Sequence, residues 1–173
     1  RRALAVTSHV FLTDLARPAG KWRSREAVAA GRERIVLIAI SSASGAVPTV
    51  FAHTGATLRL QRPVADVVDR DLAERLLSDL SSLRMETFLD PPLAPEMEKA
   101  LAEPAGTVEL TIAGESAPLR IEVGGATSSG KRVWRAGDQV FESASVLAEV
   151  VTRPAAEWRS RNWTRFENWR IEK

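Results

Sequence analysis

The sequence contains no cysteine and no tyrosine, and only two of its 173 residues are histidines. The lack of cysteine excludes disulfide bonds and thiolate metal sites. The lack of tyrosine removes one common acid–base group. His9 and His53 stand alone in the sequence, and we expect both at the surface. No pair of carboxylates is spaced inside a glycine-lined cleft pattern. We therefore predict no catalytic residue, no metal site and no cofactor.

Long apolar runs and a strong charge imbalance are also missing. No stretch approaches the ~18 consecutive apolar residues of a transmembrane helix, so we expect no membrane span in this chain. The 24 basic residues nearly balance the 22 acidic ones, which gives no strong signal for a polyanionic partner such as nucleic acid. The chain begins with Arg1 and shows no signal peptide. We expect it to be a fragment whose membrane anchor lies elsewhere.

An internal repeat is the clearest pattern in the sequence. Residues 17–25 read Arg-Pro-Ala-Gly-Lys-Trp-Arg-Ser-Arg, and residues 153–161 read Arg-Pro-Ala-Ala-Glu-Trp-Arg-Ser-Arg. Seven of the nine positions are identical, with Trp22 and Trp158 separated by 136 positions. At the same spacing Arg34-Ile35 falls on a second Arg-Ile pair. Self-similarity at a fixed period is typical of a repeated structural unit.

The repeat predicts a tandem array with a period near 136 residues. Residues 1–34 would be the tail of a preceding copy, and residues 35–173 would be one full copy. This division still allows the chain to pack as a single domain. We assign Trp22, Arg23 and Arg25 to the junction between copies.

Hydrophobic patterning predicts an α+β fold. The predicted strands are 34–41, 49–53, 57–62, 85–89, 107–113, 118–123, 132–136 and 139–142. The predicted helices are 69–84, 95–101 and 146–152. Leu72, Leu76, Leu80 and Leu83 form one apolar stripe along the first helix, which Asp69 can cap. Because the strands follow one another as hairpins, we expect a mainly antiparallel sheet with two or three helices packed on it.

The segment Gly125–Lys131 resembles a phosphate-binding P-loop. Such a loop cradles phosphate with backbone N–H groups and places Ser or Thr on magnesium. Here Arg132 stands where the Ser or Thr is needed, and the segment joins two predicted strands instead of opening a helix. We therefore interpret it as a hairpin turn.

Three aspartates, Asp66, Asp69 and Asp71, surround the predicted start of the first helix. Carboxylates at this position are explained by capping and by the positive end of the helix dipole. A divalent metal site is the weaker alternative.

Tryptophan and arginine alternate near the end of the chain. The candidate binding residues are Trp158, Arg159, Arg161, Trp163, Arg165, Trp169 and Arg170. The preferred interpretation is that the tryptophans pack against a neighbouring copy. The alternatives are a cation–π surface for a protein partner, or stacking on nucleic acid bases and insertion into anionic lipid.

The diffuse apolar pattern over most of residues 34–173 resembles the bacterial domain of unknown function 4340. The matching segments are Arg-Ile-x-x-Ile-x-Ile at 34–40, Leu-x-Leu-x-Arg-Pro-Val at 58–64, Val-x-Asp at 67–69, Leu-Leu-x-x-Leu-x-x-Leu at 76–83, Glu-Pro at 103–104, Leu-Arg-Ile-x-x-Gly-Gly at 119–125, Val-Phe at 140–141 and Arg-x-x-Asn-Trp at 165–169. The resemblance implies an extracytoplasmic, membrane-anchored cell-envelope protein with tandem domains, associated with ABC-type export or gliding-motility systems. It supplies no activity and no catalytic residues.

Together these observations predict a non-catalytic interaction or scaffold domain of a tandem array. Its expected partners are proteins, including membrane components of an export system. The alternative is a polyanion-binding module that uses residues 158–170, which requires exposed tryptophan rings and salt-sensitive binding. A phosphate-handling enzyme at residues 125–131 is the third hypothesis.

Overall fold

The computed structural model describes residues 22–54 and 57–161, and this part of the chain is built around one nine-stranded antiparallel sheet. The strands are β1 (Ile35–Ser42), β2 (Thr49–Thr54), β3 (Thr57–Arg62), β4 (Asp66–Val67), β5 (Thr87–Phe88), β6 (Gly106–Ile112), β7 (Leu119–Ala126), β8 (Arg132–Ala136) and β9 (Gln139–Ser143). The helices are α1 (Arg70–Ser81), α2 (Pro95–Ala102) and α3 (Leu147–Val150), with 3-10 turns at Arg32–Arg34 and Ala155–Trp158. The predicted α+β class is confirmed.

The strand order is β4-β3-β2-β1-β6-β7-β8-β9-β5. Most neighbours in the sheet are also neighbours in sequence, so the sheet is a series of hairpins, as predicted. Gly114 and Gly137 lie at the β6–β7 and β8–β9 turns with φ angles of 85° and 59°. This left-handed conformation costs glycine nothing, whereas other residues rarely adopt it. Between the two halves of the sheet, β1 pairs with β6 through partners such as Ile38 and Leu110.

One face of the sheet is apolar and carries the core. Its fully buried side chains include Ile38, Phe51, Leu110, Ile121, Trp134 and Phe141. Helix α1 adds Leu76 and Leu80 to the same core, as its leucine stripe predicts. Asp69 caps this helix, because its carboxylate accepts hydrogen bonds from the N–H groups of Asp71 and Leu72 at 3.1 and 3.2 Å. The predicted cap is therefore confirmed.

The opposite face of the sheet carries a ladder of ion pairs. Arg120 on β7 contacts Glu109 on β6 at 3.1 Å and Glu122 on its own strand at 3.2 Å. Arg135 on β8 contacts Glu122 at 2.9 Å. The cationic groups of this patch are thus matched by carboxylates, and the patch shows no excess of positive charge.

Two short segments extend the strand pairing beyond the predicted elements. Residues 25–27 run antiparallel to residues 83–85, where the N–H groups of Met85 and Ala27 donate to Arg25 and Leu83 at 2.8 and 3.1 Å. This pairing explains why α1 ends at Ser81 and does not continue to residue 84 as predicted. Residues 158–160 run antiparallel to residues 67–69 at the other end of α1.

The remaining differences from the predicted elements concern short segments. Strand β4 has two residues and was not predicted, and β5 is shorter than the predicted strand 85–89. Helix α3 is confined to Leu147–Val150 within the predicted 146–152. Ala27 and Val28 are buried in the main core, so this part of the predicted tail packs together with the predicted full copy.

Candidate functional site

A cleft of about 370 Å³ lies between α1 and the segment that contains α3. Its floor is apolar, because Leu76, Val150 and Trp158 line it and are all buried. Four charged side chains line the same cleft: Arg75, Asp79, Glu149 and Arg153. Concave sites with an apolar lining and a few convergent polar groups are the usual form of a binding pocket.

Helical spacing explains how these charges reach one place. Arg75 and Asp79 are four residues apart on α1, so they lie on the same side of that helix. Glu149 lies on α3, and Arg153 follows four residues later. Since α1 and α3 pack against each other, the two pairs line one cleft.

The charges in the cleft are not neutralised by direct contacts. None of these four side chains forms an ion pair with another residue in the described ranges 22–54 and 57–161. Burial raises the pKa of Asp79, although the positive charges of Arg75 and Arg153 act in the opposite direction. Perturbed ionisable groups in a cleft are a signal of a functional site. This arrangement is therefore the strongest candidate site in the described part of the chain.

Trp158 forms the base of this cleft. Its ring is 1% exposed and meets Phe51 edge to face, with ring centroids 5.0 Å apart. The guanidinium of Arg153 lies 5.1 Å from the centroid of the indole, within cation–π range. The indole N–H is buried and finds no acceptor among the described residues. The ring packs in the core of its own unit, so the preferred interpretation that this tryptophan packs against a neighbouring copy needs correction. The same burial leaves no free ring face for stacking on bases or contact with lipid.

Arg159 and Arg161 follow Trp158 in the predicted binding segment. Arg159 donates to the carboxylate of Asp66, which also accepts a hydrogen bond from the N–H of Val67 at 2.7 Å. The Val67 bond and then the Arg159 contact hold the pKa of Asp66 below its usual value. Both arginines are exposed, and Arg159 forms a surface ion pair with Asp66. The other four predicted binding residues lie outside the described residues: Trp163, Arg165, Trp169 and Arg170.

The aspartate cluster at the start of α1 has structural partners. Asp66 is bonded to Arg159 and Val67, and Asp69 caps the helix. Within the described ranges no three His, Asp or Glu side chains converge on a common metal position. The cluster therefore gives the metal alternative no geometric support.

The predicted junction residues have different environments. Trp22 is 61% exposed. Arg23 contacts Asp90 at 2.7 Å and lies 4.0 Å above the centre of the Phe88 ring. Arg25 donates to the carbonyl of Glu86 at 2.9 Å. Both arginines thus contact the surface of the described unit, while Trp22 is largely exposed.

The segment that resembles a P-loop is a hairpin connection, as predicted. It joins β7 to β8, which pair with each other. The buried carboxylate of Glu142 accepts hydrogen bonds from Thr127 and Ser129 at 3.0 and 3.1 Å. Glu96 accepts a hydrogen bond from the backbone N–H of Ser128 at 2.7 Å. Because carboxylates occupy the donors that a phosphate would need, the geometry counts against nucleotide binding.

His53 lies near the end of β2 and is partly exposed. Its Nδ1 contacts the carbonyl of Ile35 on β1. His9 lies outside the described residues.

The sequence analysis assigned no binding role to any of the four charged residues of the cleft. Arg153 entered it only as part of the repeated segment 153–161. Oppositely charged residues four apart are common on solvent-exposed helices, so Arg75 with Asp79 carries no distinctive signal. The residues of the cleft come from two segments that only tertiary packing brings together.

Comparison with known proteins yields no match: no family model, no curated protein and no solved structure matches the chain. The resemblance to the domain of unknown function 4340 therefore stays a prediction. Among the described residues, no helix combines the length and the apolar character needed to cross a membrane.

Proposed function

We propose that this chain is a non-catalytic interaction domain whose α1–α3 cleft binds a segment of a partner protein. The observation that carries the proposal is the set of four unpaired charges above an apolar floor. Asp79 and Arg153 are partly buried, so keeping their charges unpaired has a desolvation cost, whereas Arg75 and Glu149 are exposed. A partner that supplies complementary charges would offset this cost.

The charge pattern selects the class of partner. Arg75 and Arg153 attract carboxylates, whereas Asp79 and Glu149 repel them and attract cations. A nucleic acid or phosphate-rich surface would meet both attraction and repulsion here. A peptide segment with an apolar side chain flanked by one acidic and one basic residue complements the floor and both charge signs.

The cellular setting of this proposal comes from the sequence pattern. The resemblance and the internal repeat support an array of such domains in the cell envelope, anchored outside these residues. In that setting the partner would be a protein component of an export or gliding-motility system.

Site-specific cross-linking tests the proposal. A photo-reactive amino acid in place of Glu149 lies in the cleft, and the same group in place of Thr111 lies on the opposite face of the sheet and serves as the control. We expect a discrete adduct with one envelope protein from position 149 only. The further substitution Arg153→Glu should abolish it. Equal labelling from both positions, or an adduct that persists in Arg153→Glu, would contradict a role for the cleft.

A further inference from the structure

The two tryptophans of the internal repeat have opposite environments. Trp158 is 1% exposed, whereas Trp22 is 61% exposed, although both are followed by Arg-Ser-Arg. The same residue type in the same sequence context is therefore enclosed by this unit at position 158 and not enclosed by it at position 22.

The differences between the two repeated segments fall at positions that make no buried contact. Residues 17–25 and 153–161 differ only at the positions of Ala156 and Glu157, and both of these residues are exposed. The identical positions include Trp158 in the core and Arg159 in the ion pair with Asp66. Residues 17–25 therefore have the same residue types as residues 153–161 at the positions that anchor the latter segment in the fold.

The same correspondence continues upstream. Leu147 and Val151 are buried in the same core cluster as Trp158, and at the same 136-residue spacing the sequence has Phe11 and Leu15. Apolar residues thus recur at these two positions, whereas Asp14 stands at the position of the buried Val150. The nine-residue identity therefore carries the assignment of residues up to Trp22 to the end of a preceding unit.

Backbone hydrogen bonds locate the boundary between the two units. In the described copy the carbonyl of Trp158 accepts from Asp69 at 2.9 Å, and the N–H of Ser160 donates to Val67 at 2.8 Å. The matching groups on Trp22 and Ser24 bond to no backbone group among the described residues. From Arg25 onward the backbone bonds to residues 83–85 of this unit instead.

We propose that residues 22–27 form a junction strand shared by two successive copies. Trp22 occupies, in the preceding copy, the buried position that Trp158 occupies in the described copy. Residues 25–27 pair with residues 83–85 of the following copy. Because Ser24 and Arg25 are adjacent, no free residue separates the two sets of hydrogen bonds. Successive copies would then be held in direct contact with a fixed orientation. This inference rests on the tandem-array part of the proposed function and not on the partner of the cleft.

A two-copy protein tests the junction. It consists of residues 23–157 followed directly by residues 22–173. The first segment supplies a preceding copy that lacks its own Trp158, so the site of that side chain is open to Trp22. Hydroxyl-radical oxidation, read peptide by peptide by mass spectrometry, reports the exposure of each tryptophan. We expect Trp22 to be oxidised rapidly in the 173-residue chain. In the two-copy protein we expect it to be protected to the level of Trp158.

A two-copy protein in which Trp158 is protected but Trp22 is oxidised as fast as in the single chain would overturn the proposal. The same substitution in both proteins gives a second test. Trp22→Ala should leave the melting temperature of the single chain unchanged and should lower that of the two-copy protein. Inserting a short Gly/Ser segment between Ser24 and Arg25 should increase the radius of gyration measured by X-ray scattering. An unchanged radius would contradict a direct junction.

A test on the full 173-residue chain does not depend on folding of the fusion. In the variant Trp158→Gly, a peptide of residues 17–25 should raise the melting temperature, and the same peptide with Trp22→Ala should not. Stabilisation by a peptide of residues 153–161 without stabilisation by residues 17–25 would overturn the proposal. Because none of these measurements involves the cleft partner, their failure would leave the cross-linking result from position 149 untouched.

Discussion

Phe51 in the middle of the sheet and Trp158 near the end of the described chain meet edge to face, with their ring planes inclined by 71°. Both rings are fully buried. An edge-to-face pair adds roughly 0.5–1.5 kcal/mol beyond the burial of its area. The segment that contains Trp158 is therefore part of the core and not an appended tail.

Removing the indole of Trp158 should strongly destabilise the domain. Trp158→Ala deletes a buried aromatic side chain, leaves a cavity and breaks the contact with Phe51. Such substitutions lower the free energy of unfolding by about 3–5 kcal/mol. Urea denaturation followed by circular dichroism measures the change.

The matched control is Trp22→Ala in the same 173-residue chain. Since Trp22 is mostly exposed, its removal should change the free energy of unfolding by no more than about 0.5 kcal/mol. Equal losses at the two positions would mean that Trp22 is also enclosed in the single chain.

Neutralising Asp79 should make the protein more stable and less able to bind its partner. Burial raises the pKa of this carboxyl above the ordinary aspartate value of about 3.9, so the ionised form at pH 7 opposes folding. Asp79→Asn removes this opposition. The gain in unfolding free energy should be below about 1 kcal/mol, because the side chain is only partly buried.

The pH dependence fixes the sign of the Asp79 effect. The advantage of Asp79→Asn should be full above the raised pKa and should shrink as the pH falls through that pKa toward about 3.9. Thermal denaturation between pH 3 and pH 8 gives the profile. A variant that is less stable at pH 7, or that cross-links from position 149 as well as the wild type, would contradict the assignment of Asp79 to the cleft.

Glu86 should show the opposite pH dependence. Its carboxylate accepts hydrogen bonds from the N–H of Ala144 at 2.9 Å and from Ser143 at 3.3 Å, and it pairs with Lys131 at 3.0 Å. The Ala144 bond contributes most, followed by Lys131, and together they hold the pKa of Glu86 below its usual value. Glu86→Gln should therefore reduce stability at pH 7, by at most about 1 kcal/mol because the group is partly exposed.

A lowered pKa defines the window in which this stabilisation disappears. The difference between wild type and Glu86→Gln should be complete above about pH 4.3 and should vanish as the pH falls through the lowered pKa. Glu149→Gln is the control, because the Glu149 side chain has no hydrogen bond or ion pair with the described residues. Its effect at pH 7 should stay within about 0.5 kcal/mol. A Glu86 effect that persists at pH 2 would show that the loss is not due to ionisation.

The elements that the sequence predicted are those with a complete local signal. The hairpins were found because alternating strands flank Gly114 and Gly137, whose conformation closes the turns. Helix α1 was found because its leucines recur at helical spacing after Asp69. These features depend on neighbours within a few positions, so the sequence alone is sufficient to identify them.

The elements that sequence reasoning missed depend on distant partners. The two-residue strand β4 and the pairing of residues 25–27 have no periodic pattern of their own. The cleft needs Asp79 from α1 and Glu149 from α3, which are far apart in sequence. Only the packing of one helix on the other brings these charges together.

Gly124 and Gly125 are adjacent, but only Gly124 lies where packing leaves no room for a side chain. The sequence analysis ends a predicted strand at residue 123 and assigns Gly125 to a hairpin turn, so it gives neither glycine a packing role. In the structure a Cβ added at Gly124 would lie 2.7 Å from the carbonyl oxygen of Ala100 and 2.8 Å from that of Val133. At Gly125 the nearest atom to such a Cβ is 3.5 Å away, which is an ordinary contact. Gly124 therefore sets how closely α2 approaches the sheet.

Gly124→Ala should consequently lower the free energy of unfolding by about 1–3 kcal/mol, because both clashing atoms belong to the backbone and α2 must shift to relieve them. Gly125→Ala should be neutral or should stabilise the protein by about 0.4–1 kcal/mol, since alanine reduces the entropy of the unfolded chain. Urea denaturation of the two variants measures the difference, and hydrogen exchange at α2 should increase in Gly124→Ala alone. Equal effects at the two positions would place α2 farther from β7 than the contact at Ala100 requires.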